Sequence, residues 1–272
     1  MSYVKRGLWI MPVKVLFIGD LVGKPGRQAV SRELHRLVDR HAVDLVVANG
    51  ENMAGGFGIT EETARELFDL GVHVITSGNH IWDKRESYVY LNREERIIRP
   101  ANYPKGAPAR GSIVVKSSGG VKIGLLNLEG RVFMNNLECP FLVADREIAT
   151  IKEETPIIVV DFHAEATSEK ASLGWYLDGR VSAVIGTHTH VQTADERLLT
   201  GGTAYITDAG MTGSFDSVIG VRKEEPISKF LTQLPVKFEV AKKDLRLNGV
   251  VVTIDTATGR ALAIERINVS CG

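Results

Sequence analysis

The sequence predicts an α/β fold in which two β-sheets pack face to face and helices cover their outer sides. Three observations carry this expectation. Residues 13–76 alternate short apolar runs with helical periodicity in the order β-α-β-α-β, a pattern that calls for parallel strands joined by right-handed crossovers. Apolar runs at 156–161 and 181–185 bracket one more helical stretch. The last third alternates apolar and polar residues as antiparallel strands do.

Taken in order, residues 13–18 read as a buried strand that ends in Gly19-Asp20. Pro25 opens a helix over 27–41, with Ala29, Val30, Leu34, Leu37 and Val38 on one face. A second strand, 43–48, ends in Asn49-Gly50-Glu51-Asn52. After a glycine-rich loop at 54–58, Thr60 caps a helix that runs to Leu70 and stops at Gly71. Glu61 and Glu62 suit the positive end of its dipole. The third strand, 72–76, ends in Ser77-Gly78-Asn79-His80.

Residues 81–91 read as helical, and 99–108 as a loop rich in proline and glycine. Strands at 111–116 and 121–126 flank Ser117-Ser118-Gly119-Gly120, a hairpin signal. A helix is expected over 141–152. The strand at 156–161 then ends in Phe162-His163-Ala164-Glu165, and Ser168 caps a helix through Leu177. The strand at 181–185 feeds Gly186-Thr187-His188-Thr189-His190. Short strands at 197–199 and 203–206, a small-residue loop at 207–216, a helix at 225–233 and strands at 236–241, 247–254 and 262–269 complete the chain. With no repeat or linker, residues 13–270 are expected to form a single domain behind an N-terminal extension, 1–12.

Composition narrows the function. The 272 residues carry 33 basic and 33 acidic side chains, a formal net charge of zero. Extended nucleic acid and membrane surfaces therefore make poor partners, whereas a small anionic substrate needs only a local positive site. No apolar run approaches the roughly 20 residues that span a bilayer. The two cysteines, Cys139 and Cys271, have no metal or redox spacing, which fits a reducing cytoplasm, and Cys271 is expected to be disordered or exposed.

The chemistry concentrates at strand ends. Asp20, Glu51 with Asn52, Asn79 with His80, His163, and His188 with His190 all follow predicted core strands. If the chain stays extended there, His188 and His190 face one way and Thr187 and Thr189 the other. Singly, each has a bland reading as a cap, a solvated carboxylate or a satisfied core histidine. Together they supply oxygen and imidazole ligands and no sulfur, a set suited to zinc, manganese or iron and unlike a structural zinc site. They are too many for one tetrahedral ion and enough for two that share a carboxylate. Two divalent ions would leave surplus positive charge over Asp20 and Glu51, as chemistry at an anionic phosphate needs. Gly23-Lys24-Pro25-Gly26 and Gly55-Gly56-Phe57-Gly58 lack P-loop spacing and read as tight turns. Phe57 is equally suited to stack on a base or to cover the core. Trp82 and Trp175 read as core or interface residues, and Arg93, Arg96 and Arg99 as a solvated face.

Gly19-Asp20, Gly50-Glu51-Asn52, Gly78-Asn79-His80, His163 and Gly186-Thr187-His188-Thr189-His190 resemble, in that order, the motifs of the calcineurin-like metallophosphoesterase superfamily. Leu21-Val22 stands where that superfamily completes a D-x-H motif, and Glu51 stands where it has aspartate. Both departures resemble a narrower group, the YmdB-type phosphodiesterases, as do residues 17–26 and 76–83. The resemblance implies a four-layer αββα sandwich of two packed mixed sheets and a homo-oligomer. It implies two divalent or trivalent transition-metal ions per chain, iron or manganese before zinc. Asp20, Glu51, Asn52 and His190 would surround one ion, and Glu51, Asn79, His163 and His188 the other. It also implies hydrolysis of 2',3'-cyclic and 3',5'-cyclic nucleotides by a metal-bound hydroxide. His80 would protonate the leaving oxygen, a task that the ordinary pKa of histidine suits. A phosphomonoesterase or nuclease on the same site, or a nucleotide-binding regulator with little turnover, are the competing expectations.

Overall fold

Successive side chains of the first strand, β1 (Val13–Ile18), divide between two cores. Val15 and Phe17 lie in an apolar layer with Leu125, Val159 and Ile185, whereas Leu16 and Ile18 pack with Val30, Leu34 and Leu37. This is the period-two alternation of a strand buried on both faces.

The structure, a computed structural model, describes residues 12–272. After β1 come β2 (Asp20–Leu21), α1 (Gly23–His41), β3 (Leu45–Asn49), α2 (Glu61–Asp69), β4 (Val74–Thr76) and α3 (Tyr88–Arg93). The middle of the chain forms β5 (Ser112–Lys116), β6 (Lys122–Glu129), α4 (Pro140–Lys152), β7 (Ile158–His163), α5 (Thr167–Tyr176) and β8 (Ala183–Thr187). The rest forms β9 (Arg197–Leu198), β10 (Ala204–Ile206), β11 (Met211–Ser214), α6 (Glu224–Thr232), β12 (Leu245–Ile254) and β13 (Ala261–Ser270).

One sheet runs β2-β11-β12-β1-β3-β4, with β13 on the other edge of β12; the second runs β5-β6-β7-β8-β10-β9. Both are mixed. β1, β3 and β4 are parallel, as are β6, β7, β8 and β10, while β12 and β5 pair antiparallel to their neighbours. The inner faces share one core, α1 and α2 cover the first sheet, and α4 and α5 cover the second. The layers are therefore α, β, β, α, as expected. Among the described residues no helix is long and apolar enough to cross a membrane.

Several local expectations are corrected. Helix does not begin at 81, because residues 78–83 turn back on themselves, with Asp83 N bonded to His80 O at 3.1 Å; only a short 3-10 turn at 85–87 and α3 follow. The stretch 236–241 is not a strand. Its backbone pairs with residues 220–222 rather than with either sheet, through a Val221–Val240 bridge and bonds from Arg222 N to Glu239 O and from Ala241 N to Gly220 O. The small-residue loop at 207–216 instead contains β11, which pairs with β2 and β12. Gly19, between β1 and β2, permits that approach: a Cβ there would lie 1.9 Å from Gly210 O. Ser168 does not cap α5, which starts at Thr167 after Ala166. Thr60 does cap α2, in a reciprocal box with Thr63. Cys271 is buried, its N bonded to Leu245 O. Arg99 is buried and donates to Pro100 O, whereas Arg93 and Arg96 form exposed ion pairs. The extension expected at 1–12 lies, except for Pro12, outside the described residues.

Candidate metal centre and active site

The parallel strands of both sheets end on one side of the molecule, where α/β folds place their sites. The two edges are tied together beneath that surface. Asn49, at the end of β3, donates to Asp161 of β7 at 3.0 Å, and Asn127 of β6 accepts from Ser77 N, just past β4, at 3.1 Å. All four side chains are buried. The tie brings Glu51 to 3.2 Å from His163 Nε2, across the two sheets.

The structure brings all seven residues expected as ligands into one cluster. His163 Nε2 lies 3.1 Å from Asn79 Oδ1 and 3.0 Å from His188 Nδ1. Asn52 Nδ2 lies 2.9 Å from Glu51 Oε1 and 3.2 Å from His190 Nε2. Asp20 Oδ2 accepts from His188 N at 3.1 Å. The acidic and imidazole donors fall into two groups, Glu51 with His163 and His188, and Asp20 with Glu51 and His190, with the candidate ligand atoms of each group within 4.8 Å of one another. Glu51 belongs to both.

The way His188 and His190 reach the cluster differs from the extended geometry expected. β8 stops at Thr187, and both histidines have positive φ, 100° and 66°. Such conformations are costly for residues with a Cβ and persist only where surroundings hold them. The holders are visible. Thr189 donates to Asp208 Oδ2 from N at 3.1 Å and from Oγ1 at 2.8 Å, and Asp208 is paired with buried Lys170 at 2.6 Å. The turn thus sends the two imidazoles to different donor groups.

Their outward partners orient the rings. Ile219 O can only accept, so His190 Nδ1 carries the proton of that 2.8 Å bond and Nε2 presents its lone pair inward. His188 Nε2 faces the Glu165 carboxylate at 3.2 Å, which directs Nδ1 inward. Thr187 Oγ1 donates to Asp161 at 2.7 Å and so accepts from His163 Nδ1 at 2.9 Å, again leaving Nε2 inward. Outer acceptors that orient histidines in this way are the usual support of a metal site.

Charge points the same way. Burial alone would lower the His163 pKa, but the Glu51 carboxylate holds it up at about 9. Burial and the His163 charge push His188 down to about 3. Burial would raise Glu51, yet His163 brings it to about 2. The Glu51 carboxylate and the His163 ring thus each favour the charged form of the other. Asp20 Oδ1 and Asn52 Oδ1 are buried acceptors without a hydrogen-bond partner, an expensive condition that a cation relieves. The residues present therefore fit divalent metal ions.

His80 stands apart. Its backbone N donates to Glu51 Oε2 at 3.1 Å, while its ring pairs with Asp83 at 2.8 Å and lies against Phe57, with centroids 5.0 Å apart. The ring lines a cavity of about 530 Å³ with Glu51, Asn52, His188 and His190.

Sequence reasoning misses the supporting groups. Lys170, Asp208, Asp161 and Glu165 carry no motif that singles them out for a role, and Thr187 is read from the sequence only as facing away from the histidines. Glu129 lies beyond the strand expected to end at 126. β6 continues through Asn127, which is buried but fully engaged, and sets Glu129 beside His163. Burial raises that carboxyl to about 7, and its Oε2 has no partner. The apolar run resumes past Asn127 at Leu128, and that is the signal that could have found it.

Gly78 is required by space. A Cβ there would lie 2.2 Å from His163 Cδ2 and 2.5 Å from Glu51 Oε2. Gly78→Ala is expected to lower turnover by about 10–100-fold, as loss of a ligand-orienting contact does, together with metal content by elemental analysis.

Two facing mixed sheets with carboxylate, amide and imidazole donors at their shared edge define a calcineurin-like metallophosphoesterase. The chain belongs to the YmdB-like protein family, whose model matches residues 16–267. It is 49% identical over 255 residues to the 2',3'-cyclic-nucleotide 2'-phosphodiesterase of Bacillus subtilis (strain 168), covering 94% of this chain and 96% of that protein. It superposes with a TM-score of 0.89 on the crystal structure of a hypothetical protein from Thermus thermophilus, at 42% identity, covering 96% of this chain and all of that one. A novel phosphatase from Mycoplasma pneumoniae superposes with a TM-score of 0.90 at 35% identity, covering 96% of this chain and 94% of that one.

Proposed function

We propose that this protein is a metal-dependent phosphodiesterase that hydrolyses cyclic nucleotides, the 2',3' kind first and the 3',5' kind as well. The observation that carries the reading is Glu51, a single buried carboxylate common to two donor groups, with His80 beside it in the same cavity. The named activity of the Bacillus subtilis relative supports the substrate class. Asp20, Glu51, Asn52 and His190 would hold one ion, and Glu51, Asn79, His163 and His188 the other, with iron or manganese before zinc. When bound, such ions supply Lewis acidity toward the phosphoryl oxygens and lower the pKa of the attacking water. Other than histidine, Lys229 is the only basic side chain lining the cavity among the described residues, so the protein alone offers an anionic phosphate little positive charge. His80 is placed to give a proton to the departing ribose oxygen, with Asp83 orienting its ring. We place the enzyme in the cytoplasm as a homo-oligomer of single-domain chains; two free thiols suit a reducing compartment.

Elemental analysis of protein purified without added metal, run beside hydrolysis of 2',3'-cyclic AMP, tests this reading. About two transition-metal ions per chain are expected, with turnover that a chelator abolishes. Bis-p-nitrophenyl phosphate should be cleaved in preference to p-nitrophenyl phosphate. No metal and no turnover after adding iron, manganese or zinc would sink the proposal. Preference for the monoester would replace it with a phosphomonoesterase.

A further inference from the structure

The cavity does not end at the donor cluster. Away from Glu51 and His80 its lining becomes apolar, with Phe57 from the glycine-rich loop and Ile219, Phe230 and Phe238 from residues 218–238. Phe57 is 41% exposed, Ile219 55% and Phe230 76%. Single exposed apolar side chains need no explanation, but a contiguous set opening into a polar catalytic cavity does. α6, which carries Phe230, buries only Pro226, so its aromatic side chain is not committed to the core.

The wall is also fixed to the cluster. Ile219 has φ +47°, a strained value for a β-branched residue. The same residue offers its carbonyl to His190 Nδ1 at 2.8 Å. On the opposite flank Phe57 lies against the His80 ring. One backbone contact and one ring contact therefore tie Ile219 and Phe57 to the groups that would handle the phosphate. Strain retained at such a place points to a functional constraint. The volume, about 530 Å³, is that of a small-molecule site rather than of a channel for a polymer.

We propose that Phe57, Ile219 and Phe230 form a nucleobase subsite, in which the flat face of the base packs on aromatic and aliphatic surface while the cyclic phosphate sits at the donor cluster. This rests on the phosphodiesterase reading and adds to it a basis for substrate choice. Stacking accepts every base because each has a π-face, so the subsite favours nucleotides over base-free diesters and takes purines above pyrimidines by contact area.

The test compares kcat/KM for 2',3'-cyclic AMP with that for ethylene glycol cyclic phosphate, which has the ring phosphodiester and no base. The wild-type protein is expected to prefer cyclic AMP. Phe230→Ala and Phe57→Ala should each lower that preference by about tenfold, the usual cost of losing one base-stacking ring, mainly through KM for cyclic AMP. Phe230→Tyr should restore it. Phe230 is exposed enough that its truncation leaves folding intact, which a thermal melt checks. A preference unchanged in both alanine variants overturns the subsite, as does a wild type with no preference, and either result leaves the phosphodiesterase reading standing. A metal-loaded wild type inert on both substrates overturns the reading and the subsite together.

Discussion

Glu51→Ala is expected to empty both metal positions at once and to reduce turnover beyond detection. The two donor groups share this carboxylate and no other residue. Asp20 and His190 contribute to one group only, and His163 and His188 only to the other. Losing a side chain that merely orients a ligand costs about 10–100-fold, and losing a carboxylate common to two ions should cost more. The charge arithmetic adds to this. Glu51 is buried and raises the His163 pKa against the effect of burial. Without it the His163 pKa falls, and the two donor groups retain one carboxylate, Asp20. Glu51→Gln keeps the shape and loses the charge, so it too should bind little metal. Asp20→Ala should lose metal and activity, with His163 and His188 still able to retain part of the second position. Elemental analysis on each variant, with circular dichroism to confirm the fold, separates these outcomes. Normal metal content in Glu51→Ala would show that the cluster serves some other purpose.

The strand-end residues are legible in the sequence because each follows an apolar run too short for a helix. Asp20, Glu51 and Asn79 can be placed at the C-terminal edge of one sheet, and His163 and His188 at that of the other, from order alone, since parallel strands put their C-terminal ends together. What order cannot supply is the path of the chain after the strand. Reading 186–190 as extended predicts that His188 and His190 share a face, whereas positive φ at both sends them to separate donor groups. Nothing in Thr-His-Thr-His announces that turn. Its cause is Asp208, which is distant in sequence and buried only after folding. The same limit hides β11, because Met-Thr-Gly-Ser has little intrinsic strand character and is a strand only where Gly19 and Gly210 allow the backbones to approach. The stretch 236–241 fails in the opposite sense. Its alternation is good, but the backbone bonds it makes run to residues 220–222, and pattern without a sheet partner leaves coil.

His80→Ala should separate proton transfer from metal binding. The ring belongs to neither donor group, and the contact that His80 makes to Glu51 comes from its backbone N, which alanine retains. Metal content is therefore expected to match the wild type. Nδ1 is engaged by the Asp83 carboxylate, which can only accept, so the proton available to a substrate is the one on Nε2. A positioned general acid is worth about 10²–10⁴-fold, and that loss should appear in full on 2',3'-cyclic AMP, whose leaving group is a ribose alkoxide. Bis-p-nitrophenyl phosphate releases a phenolate stable enough to depart unprotonated, so its turnover should fall far less. Asp83→Asn keeps a hydrogen bond but removes the charge, and should land between wild type and His80→Ala on the cyclic nucleotide. Two results would sink the acid role. An equal drop on both substrates would mean that the ring only shapes the cavity beside Phe57, and a drop in bound metal would mean that it supports Glu51 through more than its backbone.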